Sequence, residues 1–181
     1  MNAIYSSISS LDPILTVLSH ADISTIEGRI PTEFGSSATE VPGSRSLLTT
    51  LDLNGAKWGI VTSGTRELIT CWIERFMLPH PEVFVAAEDV EIGKPDPQGY
   101  LLGRRRLGLE ESTSILVLED APAGIKAGKA AGFKVLAVQT SHSLEKLRDA
   151  GPDWIVEDLR SVTVKVVSNR RVQIEIKNAF K

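Results

Sequence analysis

Four short apolar runs, "KWGIVTS" (57–63), "EVFVAAEDV" (82–90), "SILVLED" (114–120) and "FKVLAVQ" (133–139), recur along the chain, each followed by a helix-like segment. Continuous apolar runs mark strands buried on both faces, and strands that alternate with helices are joined by crossovers, which makes them parallel. The fold expected is α/β, a doubly wound parallel sheet covered by helices on both faces. The intervening segments agree. Leu68, Ile69, Trp72, Ile73 and Phe76 lie at helical spacing within 65–78, Pro97 opens a helix over 97–109, and Pro122-Ala123-Gly124 opens another that Gly132 ends. A helix over 143–151 leads into the apolar "DWIV", and "SVTVKVVSNRRVQIEI" alternates apolar and polar about Ser168-Asn169, which reads as a β-hairpin on the sheet edge.

Composition narrows the partners. With 181 residues, 42% of them apolar, the chain suffices for one core. The net charge is −3 and basic residues are scattered apart from "GRRR" at 103–106, so nucleic acid is not an expected partner. A single cysteine, Cys71, and three separated histidines, His20, His80 and His142, provide neither a disulfide framework nor zinc-ligand spacing. No 18-residue apolar run or basic leader occurs, so neither membrane spanning nor secretion is expected. A reducing, cytoplasmic setting follows as the expectation.

In a doubly wound sheet, chemistry gathers at the carboxyl ends of the strands. Thr62 and Ser63 end the first run, Lys94 lies in the loop "EIGKPDP" after the second, and Glu119 and Asp120 end the third. Adjacent carboxylates repel in a low-dielectric cleft unless a cation neutralises them, and a hard divalent ion such as Mg2+ takes oxygen ligands. An ammonium at Lys94 with hydroxyl and backbone donors near Thr62 would complete a pocket for a phosphoryl group. Taken singly, each element has a plainer use: acids and "TSGT" cap helices, and a loop lysine is solvated. Their serial order at one sheet end favours the phosphoryl pocket.

The segments "GIVTSGT", "GKPDPQGYLLG" and "VLEDAPAGIKAGKAAG" resemble the second, third and fourth motifs of the haloacid dehalogenase superfamily. Together with "IEGRIPTEFG" and "EVPGSRSLL", they are similar to the fungal branch containing 2-deoxyglucose-6-phosphate and glycerol-phosphate phosphatases, over about residues 22–160. The resemblance implies Mg2+-dependent hydrolysis of small sugar or polyol phosphates through an aspartyl-phosphate. It assigns Thr62, Ser63 and Gly64 to the phosphoryl oxygens, Lys94 to charge neutralisation, and Asp120, assisted by Glu119, to the metal. It also implies a remnant helical cap over 1–40, the α/β core over 41–160 and the hairpin over 161–181.

The first motif of that family, a strand ending in Asp-x-Asp-Gly-Thr, has no match. "LDLNG" (51–55) mimics its spacing with Asp52 and Asn54, but follows the helical pattern of Leu47, Leu48 and Leu51 and reads as a helix end with an Asn-Gly turn. Asp12 is followed by Pro13 and Ile14, where the second acid belongs. The expected core therefore lacks its central first strand, leaving two facing edges with three outcomes open: the halves close directly on each other, "NAIYSSI" (2–8) fills the gap in part, or the domain stays loose and self-associates. Two functions follow: a phosphatase by descent with impaired hydrolysis, or an inactive relative that at most binds Mg2+ or phosphate. Glu27, Arg29 and His20 are the cap residues considered for substrate contact, with surface charge the plainer reading of the first two. A receiver domain needs its acidic pair after the first strand, and a dinucleotide fold needs Gly-x-Gly-x-x-Gly; neither is present.

Overall fold

The computed structural model describes residues 20–168 and 171–180. In chain order they form α1 (His20–Phe34), α2 (Ser44–Leu53), β1 (Gly59–Val61), α3 (Arg66–Arg75), β2 (Val83–Val85), α4 (Gln98–Arg106) and β3 (Leu116–Glu119). They continue with α5 (Pro122–Ala130), β4 (Lys134–Val138), α6 (Leu144–Asp149), β5 (Trp154–Val156), β6 (Val162–Ser168) and β7 (Arg171–Ile176). The alternation of strand and helix from β1 to β5 is the one the apolar runs predict, with each strand trimmed to the part that finds a neighbour.

The parallel strands lie in two sheets. β1 pairs with β2, Gly59 opposite Val83 and Val61 opposite Val85. β4 is the centre of the other, flanked by β3 and β5, with Ala137 opposite both Glu119 and Ile155. Among the described residues, β1 pairs only with β2 and β3 only with β4. The segment 2–8, considered above as a filler of facing edges, lies outside the described residues, as does Asp12.

β4 shows why the apolar runs are continuous. Val135 and Ala137 face the cluster of Ile125, Leu147 and Ile155 beneath α5 and α6, whereas Leu136 and Val138 face Leu47, Val156 and Val162 on the other side. Burying a side chain of this size is worth about 1.5–3 kcal/mol, so both faces of one strand hold the two layers together. A third cluster joins α1 to α3 through Ile30, Leu68, Ile69, Trp72 and Ile73. Gly28 permits this approach, since a Cβ there would meet the Glu67 side chain.

The C-terminal hairpin corrects one expectation. Among the described residues β6 and β7 pair antiparallel with each other alone, Val164 opposite Ile174, and do not extend the parallel sheet as an edge strand. Their period-2 pattern puts Val162, Val164, Ile174 and Ile176 on the core cluster beside α2. A single backbone bond ties the segment after the hairpin to the sheet, from the Phe180 N–H to the Ile155 carbonyl at 2.8 Å.

Asp153 fastens α5 and β4 together before β5 begins. Its carboxylate accepts from Lys129 Nζ at 2.7 Å, Lys134 Nζ at 2.8 Å and the Val135 N–H at 2.8 Å. Burial alone would raise its pKa, but the two lysines and the amide together hold it well below the usual carboxylate range. A depressed native pKa stabilises the fold above the unfolded value near 4, and that contribution is lost as pH falls toward the native one. Asp153→Asn is therefore expected to lower stability by about 1–3 kcal/mol at pH 7. In urea unfolding the difference from wild type should narrow steadily below about pH 4.

Candidate functional site

The turn after β1 is fixed by its own backbone. The Thr62 N–H continues the ladder to the Val85 carbonyl at 2.9 Å, and Thr62 Oγ1 accepts from the Gly64 N–H at 3.0 Å. The Gly64 carbonyl in turn accepts from Ala87 N–H at 3.1 Å. Thr62 is thus half-buried with its hydroxyl already used as acceptor, which leaves its O–H to donate elsewhere. Ser63 is exposed at the tip of the turn, and both backbone groups of Gly64 are engaged within the protein.

α3 begins immediately beyond, and carboxylates from two other segments close its first amides. Glu27 of α1 accepts from the Thr65 N–H at 2.9 Å, and Glu88 accepts from the Arg66 N–H at 3.1 Å. Anionic groups at a helix N-terminus satisfy orphan donors and suit the dipole. Asp89, next to Glu88, accepts from Arg66 Nη2 at 2.5 Å, the Ala86 N–H at 2.9 Å and Arg106 Nη2 at 2.8 Å. The Arg106 hydrogen bond, opposed by burial, holds the Asp89 carboxyl below the usual carboxylate range. Two of the three "GRRR" arginines are paired, Arg106 on Asp89 and Arg104 on Glu111.

Lys94 enters from the loop after β2, whose Asp96 Oδ1 caps the Gln98 N–H at 2.9 Å. Its ammonium donates to the Val61 carbonyl at 3.1 Å and to Glu119 Oε1, and lies 5.0 Å from the Tyr100 ring centroid. The ion pair is buried, with 15% of the Lys94 side chain and 8% of the Glu119 side chain exposed. Glu119 takes two more kinds of donor. Tyr100 Oη donates to Oε1 at 2.6 Å, and the Asp120 and Ala121 amides donate to Oε2 at 3.1 and 3.3 Å. Burial and the Glu119 charge raise the Tyr100 pKa far above its ordinary value, so the phenol stays a donor. Gly124 makes room for this arrangement: a Cβ there would collide with the Glu119 carboxylate.

Asp120 is left with a freer carboxylate. Its Oδ2 accepts from Thr140 Oγ1 at 2.7 Å, at the carboxyl end of β4. Thr62, Ser63, Gly64, Lys94, Glu119 and Asp120 all line one cavity of about 480 Å³, which opens between β1 and β3. The residues singled out from three separate strand ends therefore meet. Asp52 does not join them; it sits in α2 and lines a different cavity with His80 and Glu82. Of the cap residues considered, Glu27 caps α3 and Arg29 pairs with Glu33 at 2.7 Å, while His20 begins α1.

The donor set bears on the metal. Among the described residues no group of three or more His, Cys, Asp or Glu side chains gathers to hold an ion. Glu119 has both oxygens taken by protein donors, so Asp120 is the carboxylate available to a cation at this cavity. That fits Mg2+, which is held by one or two carboxylates with waters and substrate phosphate oxygens completing its shell. Tyr100, Thr140 and Gly124 complete the site and were not singled out from the sequence. Thr140 follows directly on the run "FKVLAVQ", so the strand-end rule extended to the fourth strand finds it; the direction of the Tyr100 hydroxyl has no sequence signal.

Comparison with known proteins bears on the family. The profile of the family described as haloacid dehalogenase-like hydrolase matches residues 10–138. Glycerol-1-phosphate phosphohydrolase 1 of Saccharomyces cerevisiae is 38% identical over 161 residues, covering 85% of this chain and 64% of that protein. 2-Deoxyglucose-6-phosphate phosphatase 1 of the same yeast is 33% identical over 182 residues, covering 92% of this chain and 74% of that protein. The chain thus spans less than two thirds of the length of the first of these relatives. Among solved structures, CbbY from Rhodobacter sphaeroides in complex with phosphate superposes with a TM-score of 0.65 at 21% identity, over 86% of this chain and 71% of that one. A matching profile across most of the chain, relatives of this identity, and an α/β core with the motif residues around one cavity place the chain in the haloacid dehalogenase-like hydrolase family.

Proposed function

We propose that this chain forms an Mg2+-assisted site for phosphate monoesters of small sugars or polyols, the substrate class named for its yeast relatives. The observation that carries the reading is the convergence of Thr62, Lys94 and Asp120 on one cavity. Lys94 spends one proton on the Val61 carbonyl and one on Glu119, and directs its third to a phosphoryl oxygen. The Thr62 hydroxyl, already accepting from Gly64, donates to a second oxygen, with Ser63 at the exposed rim. Asp120, oriented by Thr140, would hold Mg2+, which when bound supplies positive charge against the phosphoryl group. Glu119 neutralises and positions Lys94, and its contribution to the site runs through that ammonium. In this reading α1 and the turn to residue 40 act as a cap, 41–160 as the core and 161–181 as an appended hairpin. No helix among the described residues is long and apolar enough to cross a membrane, and with the free thiol of Cys71 this supports a cytoplasmic setting.

Among the described residues the carboxylates lining the cavity are Glu119 and Asp120, one saturated with donors and the other committed to the cation. Binding is therefore proposed to exceed turnover, since removal of a covalent nucleophile costs on the order of 10⁴–10⁶ in rate. The edges of β1 and β3, unpaired among the described residues, also support self-association of the chain.

Three measurements test these readings. With Mg2+ and p-nitrophenyl phosphate, turnover should fall well below ~1 s⁻¹, the lower end of the ordinary enzyme range. A faster rate that Asp120→Asn abolishes would establish an active phosphatase instead. For stability, Lys94→Met alone should cost about 3–5 kcal/mol by stranding Glu119, whereas Lys94→Met combined with Glu119→Gln should cost less than the single changes summed. Sedimentation over a hundredfold concentration range should reveal a growing dimer fraction; a strictly monomeric profile removes the edge-pairing reading.

A further inference from the structure

We propose that Tyr100 is a positioning residue for the phosphate pocket: its hydroxyl locks the Glu119 carboxylate in the one orientation that holds the Lys94 ammonium at the mouth of the cavity. The inference rests on the phosphoryl-site reading for its purpose, and on geometry alone for its content.

Tyr100 sits in the first turns of α4 and is 8% exposed. Its ring packs in the cluster with Val117, Ile125 and Val135, a place that a phenylalanine of nearly the same volume would fill. The hydroxyl is what distinguishes the two, and it has one partner, Glu119 Oε1, at 2.6 Å. That oxygen also receives the Lys94 ammonium, which stands 5.0 Å from the same ring. The other carboxylate oxygen is tied to the backbone by the Asp120 and Ala121 amides. A carboxylate rotates about one bond, so donors on both of its oxygens fix the rotation. The backbone pair fixes one side and the phenol fixes the other, independently of where the lysine goes. Without the phenol, Oε1 is held by Lys94 alone, and a flexible four-carbon stem carries the ammonium with it. The Val61 carbonyl, the other acceptor of Lys94, belongs to β1, which pairs only with β2 among the described residues. Tyr100 thus reaches the pocket through Glu119 and does not line it.

Tyr100→Phe keeps the ring and removes one O–H, and two readouts follow it. The first is the ammonium 1H–15N signal of Lys94 in the ligand-free chain, identified by its loss in Lys94→Met. A purely structural tyrosine would leave that signal in place, whereas the proposal expects it to shift or broaden in Tyr100→Phe. The second is the affinity for inorganic phosphate in the presence of Mg2+, expected to weaken about three- to tenfold, the loss of one hydrogen bond's worth of order. An unchanged Lys94 signal with phosphate affinity within twofold overturns the proposal. If wild type binds no phosphate, the phosphoryl-site reading fails, and the Lys94 signal still decides whether Tyr100 positions the lysine. If Tyr100→Phe does not fold, 3-fluorotyrosine labelling of the otherwise unaltered chain replaces it. With two tyrosines in the sequence the Tyr100 fluorine signal is readily separated, and it should move in Glu119→Gln; no movement overturns the proposal.

Discussion

The ion pair between Lys94 and Glu119 is where the two parallel sheets of this protein are joined chemically. Lys94 bonds the last carbonyl of β1 and the last side chain of β3, strands that share no backbone pairing among the described residues. A buried pair of this kind is stable only when its remaining polar atoms are satisfied, because the desolvation of two charges offsets most of their attraction. Here they are: Tyr100 and two backbone amides complete Glu119, and the Val61 carbonyl and the Tyr100 ring attend Lys94. The same contacts that make the pair tolerable in the interior also place Lys94 on the cavity that Thr62 and Asp120 line. Stability of the junction and construction of the pocket are one set of interactions.

The rest of the site is built by relayed carboxylates. Glu27 and Glu88 close the amides at the start of α3, and Asp89 gathers Arg66, Arg106 and the Ala86 amide into one knot. Through the Ala87 amide on the Gly64 carbonyl, that knot fixes the turn carrying Thr62. One consequence is chemical. With the α3 amides of Thr65 and Arg66 already bound to carboxylates, the proposed phosphoryl group would meet the Thr62 hydroxyl and Lys94 rather than the helix terminus. The turn is therefore selective by subtraction: the donors left for a ligand are few and convergent.

What was legible in the sequence follows from which forces are local. Strand order, helix faces and caps depend on period and on Gly and Pro placement, and these were readable: Gly132 ends α5 with φ +79°, and Thr65 caps α3. The glycines at 124, 128 and 132 are spaced by four, and the structure separates their reasons. Gly128 lies against Val135 and Val117, Gly124 against the Glu119 carboxylate, and Gly132 takes a left-handed conformation. The motif residues were readable because the carboxyl ends of parallel strands meet at one place whatever the loops do. The hairpin's docking was not, since an alternating pattern states that one face is buried but not against what. Tyr100 was not readable either: nothing in the sequence states where a helical tyrosine's hydroxyl points, and only coordinates show that it reaches Glu119.

Adjacent acids at a strand end invite the assumption that both serve a cation, and the alternation of a β-strand argues against it. Successive side chains point to opposite faces, so Glu119 and Asp120 leave the end of β3 in different directions. Glu119 turns inward, where Gly124 leaves space and Tyr100 and Lys94 supply protons. Asp120 turns toward Thr140 at the end of β4, the next strand of the same sheet. The first carboxylate fixes the position of a lysine, and the second accepts from Thr140 at the cavity. Two adjacent acids are thereby separated into one that neutralises and fixes Lys94 and one that faces Thr140, so that in the proposed reading a cation and a phosphate would meet different groups of the same cleft.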